Sequence, residues 1–195
     1  MCANRQVPLL FEDIAADPMN AEYTSRGWEP VYSASARSRI ILVGQAPGRI
    51  AQETRIPWND VSGRLLRTWL SVSDDEFYNP ELFALMPMDF YYPGKGKHGD
   101  LPPRWHPRLR AMMPHAQLTI LVGAYAQKYY LDGVSAPRLR SNLTETVAHA
   151  EDYLPGFVPL VHPSPLNIGW RKRNPWFEAE NIPDLRERVR KILGA

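Results

Sequence analysis

Two short turns, far apart in the chain, carry the residue types best suited to chemistry. The first is Gly44-Gln45-Ala46-Pro47-Gly48, in which glycine and proline favour a tight turn whose backbone amides can face a ligand. The second is residues 162–167, His-Pro-Ser-Pro-Leu-Asn, where two prolines stiffen the loop that holds His162 and Ser164. A histidine in a rigid loop is a candidate acid, base or hydrogen-bond donor. Taken singly, the first turn is more typical of a purely structural element, and the second is equally typical of a structural and a functional one.

Four short apolar runs predict the strands that position these turns. They cover residues 39–44, 82–88, 118–123 and 157–161. Each run is almost continuously apolar, which is typical of parallel strands covered by helices on both faces. The alternation with helical patterns predicts an α/β fold, a three-layer α/β/α sandwich with a mainly parallel four-stranded sheet. At 195 residues we expect one domain, residues 1–195, with residues 1–38 as an N-terminal extension packed on it.

The helices and connections between the runs place both turns at one edge of the sheet. Helical patterns occupy residues 106–113 and 124–131, another begins near Asn181, and Ser62 is a candidate N-cap for a helix that runs to Leu70. The connections at residues 49–61, 89–105 and 162–182 are long for this class of fold. Because ligands of open α/β sheets bind outside the carboxyl ends of the strands, we expect the site there.

Composition excludes several other kinds of site. Cys2 is the single cysteine, which excludes an intrachain disulfide, a cysteine-ligated zinc site and an iron–sulfur cluster. The five histidines show no metal-ligand spacing, so we expect no metal. The chain has no apolar run of membrane-spanning length and no signal-peptide pattern at its start. We therefore expect a cytoplasmic protein with no membrane partner.

The two turns together resemble the uracil-DNA glycosylase superfamily. G-Q-A-P-G follows the first strand, H-P-S-P-L-N follows the last, and the segments at residues 56–66 (I-P-W-N-D-V-S-G-R-L-L) and 121–126 (L-V-G-A-Y-A) lie between them in the same order. The resemblance spans about residues 39–193. It implies that the protein flips uracil out of DNA and hydrolyses its N-glycosidic bond, leaving an abasic site, without a cofactor. Neither turn carries a lysine for Schiff-base chemistry, so we expect a monofunctional enzyme, and we expect a monomer.

The resemblance also implies a role for individual residues of each turn. His162 donates a hydrogen bond to the O2 side of uracil and stabilises the leaving anion, while Gln45 positions the attacking water. Trp58 stacks on the flipped base, and Leu166 fills the gap left in the base stack. The residues expected to bind the base are Gly44, Ala46, Pro47, Gly48, Trp58, Asp89 and Asn167.

An uneven charge distribution supports a DNA partner. Residues 91–140 carry eight Lys or Arg against two Asp, although the whole chain has a net charge of +2. Residues 91–110 combine basic residues with Tyr91, Tyr92 and Trp105, and such a segment can neutralise phosphates and stack on bases. A solvated surface loop is the alternative interpretation. The residues expected to contact DNA are Ser164, Leu166, Lys95, Lys97, Arg104 and Arg171, the last followed by Lys172 and Arg173.

Two departures from the superfamily pattern leave alternatives open. Gln45 stands where an acidic residue usually positions or activates the water; it can orient a water but cannot accept its proton. We therefore expect a weaker activity, with Asp60 or Asp89 contributing. Strand two lacks the asparagine that reads uracil, and Asp89 is its nearest polar residue. The alternatives are a glycosylase for another deaminated or damaged base, and a non-catalytic DNA-binding relative. A small nucleotide-binding protein is disfavoured because the chain lacks G-x-G-x-x-G and Walker patterns.

Overall fold

The computed structural model describes residues 8–95, 103–132, 140 and 142–194. At its centre four parallel strands form a sheet in the order β2-β1-β3-β4, with β1 at Ile40–Val43, β2 at Phe83–Leu85, β3 at Leu118–Val122 and β4 at Phe157–Leu160. Helices cover both faces of the sheet. The predicted α/β/α sandwich is therefore confirmed, and each strand lies within its predicted apolar run.

Ten helices surround the sheet in the described part of the chain, and none of them is long and apolar enough to cross a membrane. Single turns of 3₁₀ helix lie at Pro18–Asn20, Ala150–Tyr153 and Pro165–Asn167, and a π-helical turn lies at Phe177–Asn181. The α-helices are α1 (Phe11–Ala15), α2 (Ala21–Ser25), α3 (Arg49–Thr54), α4 (Val61–Leu70), α5 (Asp74–Phe77), α6 (His106–Ala111), α7 (Ala124–Leu131), α8 (Leu143–Ala148), α9 (Ile168–Arg173) and α10 (Ile182–Leu193).

The cap of α4 differs from the sequence prediction. Asp60, not Ser62, is the N-cap: its backbone is extended and its carboxylate accepts the Gly63 N–H at 2.8 Å. Ser62 lies inside the first turn and is buried. Both residue types cap helices well, and the extended backbone of the last residue before the helix decides between them.

Two of the predicted long connections contain helices of their own. Helix α3 lies within residues 49–61, and α9 lies within residues 162–182. Both helices have six residues, too few to be stable in isolation, so tertiary packing decides whether they form. Their presence shortens the irregular part of each connection.

Alternating residues of the strands pack into two separate hydrophobic cores. Ile40 and Leu42 point to the face covered by α4 and α10, whereas Ile41 and Val43 point to the opposite face. The N-terminal segment packs on this second face, where Ile14 of α1 is fully buried. Residues 8–38 are thus part of the same hydrophobic structure as the sheet.

A buried histidine supports the edge of the sheet next to β2. His106 is fully buried, with Nε2 2.9 Å from the Pro87 carbonyl oxygen and Nδ1 2.6 Å from the Tyr130 hydroxyl. Because a carbonyl oxygen only accepts, Nε2 carries the proton, and Nδ1 accepts the hydrogen bond from Tyr130. Burial lowers the pKa of His106 to about 4. The imidazole is therefore neutral in the folded protein at pH 7.

This histidine is expected to make the fold acid-sensitive. Its pKa is about 4 when folded and 6.5 ordinarily, so on acidification the unfolded chain binds the proton first. The free energy of unfolding should therefore fall between about pH 6.5 and 4, by about 3 kcal/mol in total. Urea unfolding at a series of pH values measures the slope. His106→Gln should flatten it and His115→Gln, at an exposed position, should not; equal slopes for the two variants would contradict the assignment.

Candidate active site

A cavity of about 170 Å³ lies at the carboxyl ends of the strands and brings both turns together. The whole first turn, residues 44–48, forms one side, and His162 from the second turn forms another. Trp58 and Asp60, from the connection before α4, complete its polar part. The remaining lining is apolar: Val31, Ala51, Pro57 and Pro87. The two proposed catalytic residues, Gln45 and His162, thus share one cavity.

Trp58 fits into the cavity because two residues that contact it are glycines. Its backbone φ is 56°, in the left-handed region that a bulky residue rarely adopts. A Cβ on Gly63 would lie 1.7 Å from the Trp58 carbonyl oxygen, and a Cβ on Gly44 would lie 2.7 Å from Cζ2 of the indole. The absence of a side chain at both positions lets the indole enter the cavity, where its ring centroid lies 5.5 Å from that of His162.

Two polar side chains hold the Trp58 carbonyl from outside the cavity. Arg67 Nη1 and the Tyr78 hydroxyl each lie 3.4 Å from that oxygen, and Arg67 donates to Tyr78 at 3.1 Å. Arg67 is buried and forms an ion pair with Asp74 at 2.6 Å. Sequence analysis missed these supports. The available signal was Gly63, a glycine inside the first turn of a predicted helix, which often marks close approach of another backbone.

His162 is held in a neutral state within a braced loop. Burial lowers the pKa of the imidazole, and the nearby Asp60 carboxylate opposes this shift by raising it. The Asn167 side-chain amide donates to the His162 carbonyl oxygen at 2.9 Å, and the Leu166 N–H donates to Ser164 Oγ at 3.2 Å. A neutral imidazole keeps one N–H donor, so it can stabilise a developing anion without carrying a full charge.

Two residues expected to bind substrate lie beside the cavity rather than in its lining. Asn167 uses its amide to brace its own loop. Asp89 follows the extension of β2, where its backbone N–H donates to the Gln45 carbonyl oxygen at 2.9 Å. The part of the cavity nearest strand two is formed by Pro87, whose carbonyl oxygen is already bound to His106. No group of three or more His, Cys, Asp and Glu side chains within the described ranges is arranged to hold a metal.

The residues expected to contact DNA divide into exposed and engaged groups. Leu166 is 93% exposed, and Lys95 is also exposed, while Ser164 is half-buried as the cap of a 3₁₀ turn. Arg104 is exposed as well, and its guanidinium pairs with Asp17 of the N-terminal segment at 2.8 Å. Lys97 lies outside the described residues.

Arg171 does not project from α9 as a free cation. Its guanidinium lies 5.9 Å from the Trp69 ring centroid and donates to Glu178 at 2.8 Å, with 16% of the side chain exposed. The next two residues, Lys172 and Arg173, are exposed. Helical geometry turns successive residues by about 100°, so three adjacent basic residues cannot share one direction. The basic surface of this helix is therefore formed by the two later residues.

Comparison with protein families agrees with this geometry. The family model described as the Uracil DNA glycosylase superfamily matches residues 30–186 of the 195. The match includes all four strands and every residue that lines the cavity. The parallel sheet with helices on both faces has the architecture that this family implies. The chain therefore belongs to the uracil-DNA glycosylase superfamily, a membership that supports a DNA glycosylase-type activity on a DNA substrate.

Proposed function

We propose that the protein hydrolyses the N-glycosidic bond of uracil in DNA, releasing the free base and leaving an abasic site. One observation carries this proposal: both turns meet at a cavity that holds an indole, a neutral imidazole and the backbone of the first turn. The indole offers a stacking surface for a base, and the imidazole offers a hydrogen-bond donor. The target atom is inaccessible in a duplex, so the nucleotide has to be flipped into this cavity.

Cavity size favours a pyrimidine over a purine. The cavity measures about 170 Å³, and a cavity of roughly 150 Å³ accommodates one six-membered ring such as benzene. A two-ring purine is larger, so it would have to extend through the open side of the cavity or shift lining residues such as Trp58 and Pro87. A single-ring base enters without that cost. This is the structural reason to prefer uracil over hypoxanthine.

The chemistry follows from where charge develops. As the C1′–N1 bond breaks, negative charge grows on the base and positive charge on the sugar. His162 donates its N–H to the uracil O2 side, and amides of the first turn support the same edge. Trp58 stacks on the ring and limits its orientations, while Gln45 orients the attacking water. These fixed donors act mainly in the transition state, so they accelerate the reaction rather than merely bind the base.

A second candidate is excision of another deaminated or damaged pyrimidine. Pro87 provides the strand-two wall, so no side-chain amide from that strand reads the edge of the base. Discrimination between pyrimidines would then depend on backbone amides, His162 and Gln45. A non-catalytic DNA-binding relative is the remaining candidate, because the side chain of Gln45 cannot accept a proton.

A panel of labelled oligonucleotides distinguishes these functions. Each strand carries one uracil, hypoxanthine or oxidised pyrimidine, in single- and double-stranded form, and abasic sites are detected by alkaline cleavage. A wide preference for uracil supports the proposal. Preference for another lesion favours the second candidate, and lesion-dependent binding without base release favours the third.

Leu166 is expected to matter only for duplex substrates. Its side chain is 93% exposed, so Leu166→Ala should change the free energy of unfolding by less than about 0.5 kcal/mol. We expect roughly tenfold slower excision from a duplex, because an apolar wedge offsets the cost of unstacking, and little change on single strands. Single-turnover rates on both forms measure this. Ile168→Ala, 51% exposed at the start of α9, is the matched control; equal losses on both substrate forms would remove the wedge role.

A further inference from the structure

One carboxylate oxygen of Asp60 caps a helix, and the other faces the first turn. Oδ1 accepts the Gly63 N–H at 2.8 Å and so caps α4. Oδ2 faces the first turn, since a Cβ on Gly48 would lie 3.9 Å from it. Asp60 also lines the cavity itself. The capping bond therefore fixes the carboxylate while leaving an oxygen available on the cavity side.

The cavity needs a proton acceptor that the first turn lacks. Hydrolysis transfers a proton from the attacking water, and the amide of Gln45 cannot take it at neutral pH. Asp89 lies beside the cavity rather than in its lining. Among the lining residues that the structure describes, Asp60 is the one with a carboxylate, and it lies close enough to His162 for its charge to raise the pKa of the imidazole.

We propose that Asp60 is the general base of this site, an inference that rests on the proposed glycosylase function. Gln45 orients a water, whose oxygen attacks C1′ of the deoxyribose. The C1′–N1 bond breaks, and its electron pair leaves with the base as the uracil anion, which His162 stabilises. The water proton passes to Asp60 Oδ2, and later protonation of the anion yields free uracil. The products are uracil and the hemiacetal of the abasic site.

The surroundings of Asp60 suit a carboxylate that must accept a proton. His162, in the loop after β4, lies near enough for the Asp60 charge to raise its pKa. Tyr78, directly after α5, has its pKa raised mainly by burial, and Asp60 is the smallest of the charges acting on it. The Arg67 guanidinium lies behind Tyr78 and is paired with Asp74 rather than with Asp60. An arginine in direct contact would make the carboxylate a weaker base. Asp60 then accepts the water proton, and His162 donates a hydrogen bond to the leaving base.

Three substitutions separate this role from helix capping. Asn and Ser cap helices about as well as Asp, whereas Ala does not. If Asp60 acts as the base, Asp60→Asn, Asp60→Ser and Asp60→Ala should all slow single-turnover uracil release by about 10²–10³-fold. The temperature of thermal unfolding should fall in the Ala variant alone. If capping were its whole contribution, the Asn and Ser variants would release uracil at the wild-type rate.

The pH profile gives an independent readout. A general base has to be unprotonated to accept the water proton, so the wild-type rate should fall on acidification. Asp60→Asn lacks this base, so its acid limb should be shallower. A wild-type rate and an unchanged acid limb for Asp60→Asn would overturn the inference and leave the glycosylase function standing. Absence of uracil release by the wild-type protein would overturn the function and, with it, the inference.

Discussion

Replacement of His162 by alanine is expected to slow uracil release by about 10²–10³-fold, because it removes a fixed donor at the position where negative charge develops. DNA binding should change little, since this interaction strengthens mainly in the transition state. Burial lowers the pKa of the imidazole, so the donor is neutral and the wild-type rate should be flat from about pH 7 to 8. Single-turnover kinetics, DNA titration and thermal unfolding together test this expectation.

The control for this substitution is His115→Ala, at an exposed position away from the cavity. It should leave the rate, the binding and the unfolding temperature unchanged. A His162→Ala variant that loses DNA affinity as much as it loses rate would show that His162 binds the substrate and the transition state equally well, and would contradict its role in stabilising the leaving anion.

Replacement of Gly63 by alanine is expected to destabilise the protein by about 3 kcal/mol and to abolish most activity, because the new Cβ would lie 1.7 Å from the Trp58 carbonyl oxygen. That oxygen belongs to the backbone, so a side-chain rotation cannot relieve the overlap. Trp58 would be displaced, and with it the stacking surface of the cavity. Chemical unfolding and single-turnover uracil release measure the two effects.

This prediction opposes the ordinary effect of the substitution. Within a helix, Gly→Ala normally stabilises by about 1 kcal/mol. Gly169→Ala, inside α9, serves as the helical control, since a Cβ there would meet the flexible end of Arg173 at an ordinary distance of 3.5 Å. A neutral or stabilising Gly63→Ala would show that the Trp58 backbone is not held against α4 as the structure indicates.

The strands and their order along the chain could be predicted because their signal is local and strong. A continuous apolar run such as Ile40–Val43 is stable only when both faces of the sheet are covered, and this constraint is visible without any structure. Helix α7, at Ala124–Leu131, also matches its predicted range. Helix α9 could not be predicted in the same way, because six residues gain too little from propensity and depend on their packing partners.

The assignment of charged side chains could not be derived from residue type alone. Arg104 and Arg171 were predicted to contact DNA, which stays a prediction; in the structure Arg104 is exposed and pairs with Asp17, and the mostly buried Arg171 pairs with Glu178. Each ion pair joins residues of different elements, and the sequence of charges along the chain does not show which elements meet. Lys172 and Arg173 are exposed, so these two residues, rather than Arg171, give the surface of this segment its positive charge.

By itself the sequence determined the class of fold, the two turns and the family to which they belong, because glycine, proline and apolar runs constrain the backbone locally. Only the tertiary structure decided that Asp60 rather than Asp89 lines the cavity, and that Pro87 forms its strand-two wall. It also decided that Trp58 is held between Gly44 and Gly63. The reason is physical: which side chains share a cavity depends on contacts between residues far apart in the chain, and on the space that missing side chains leave.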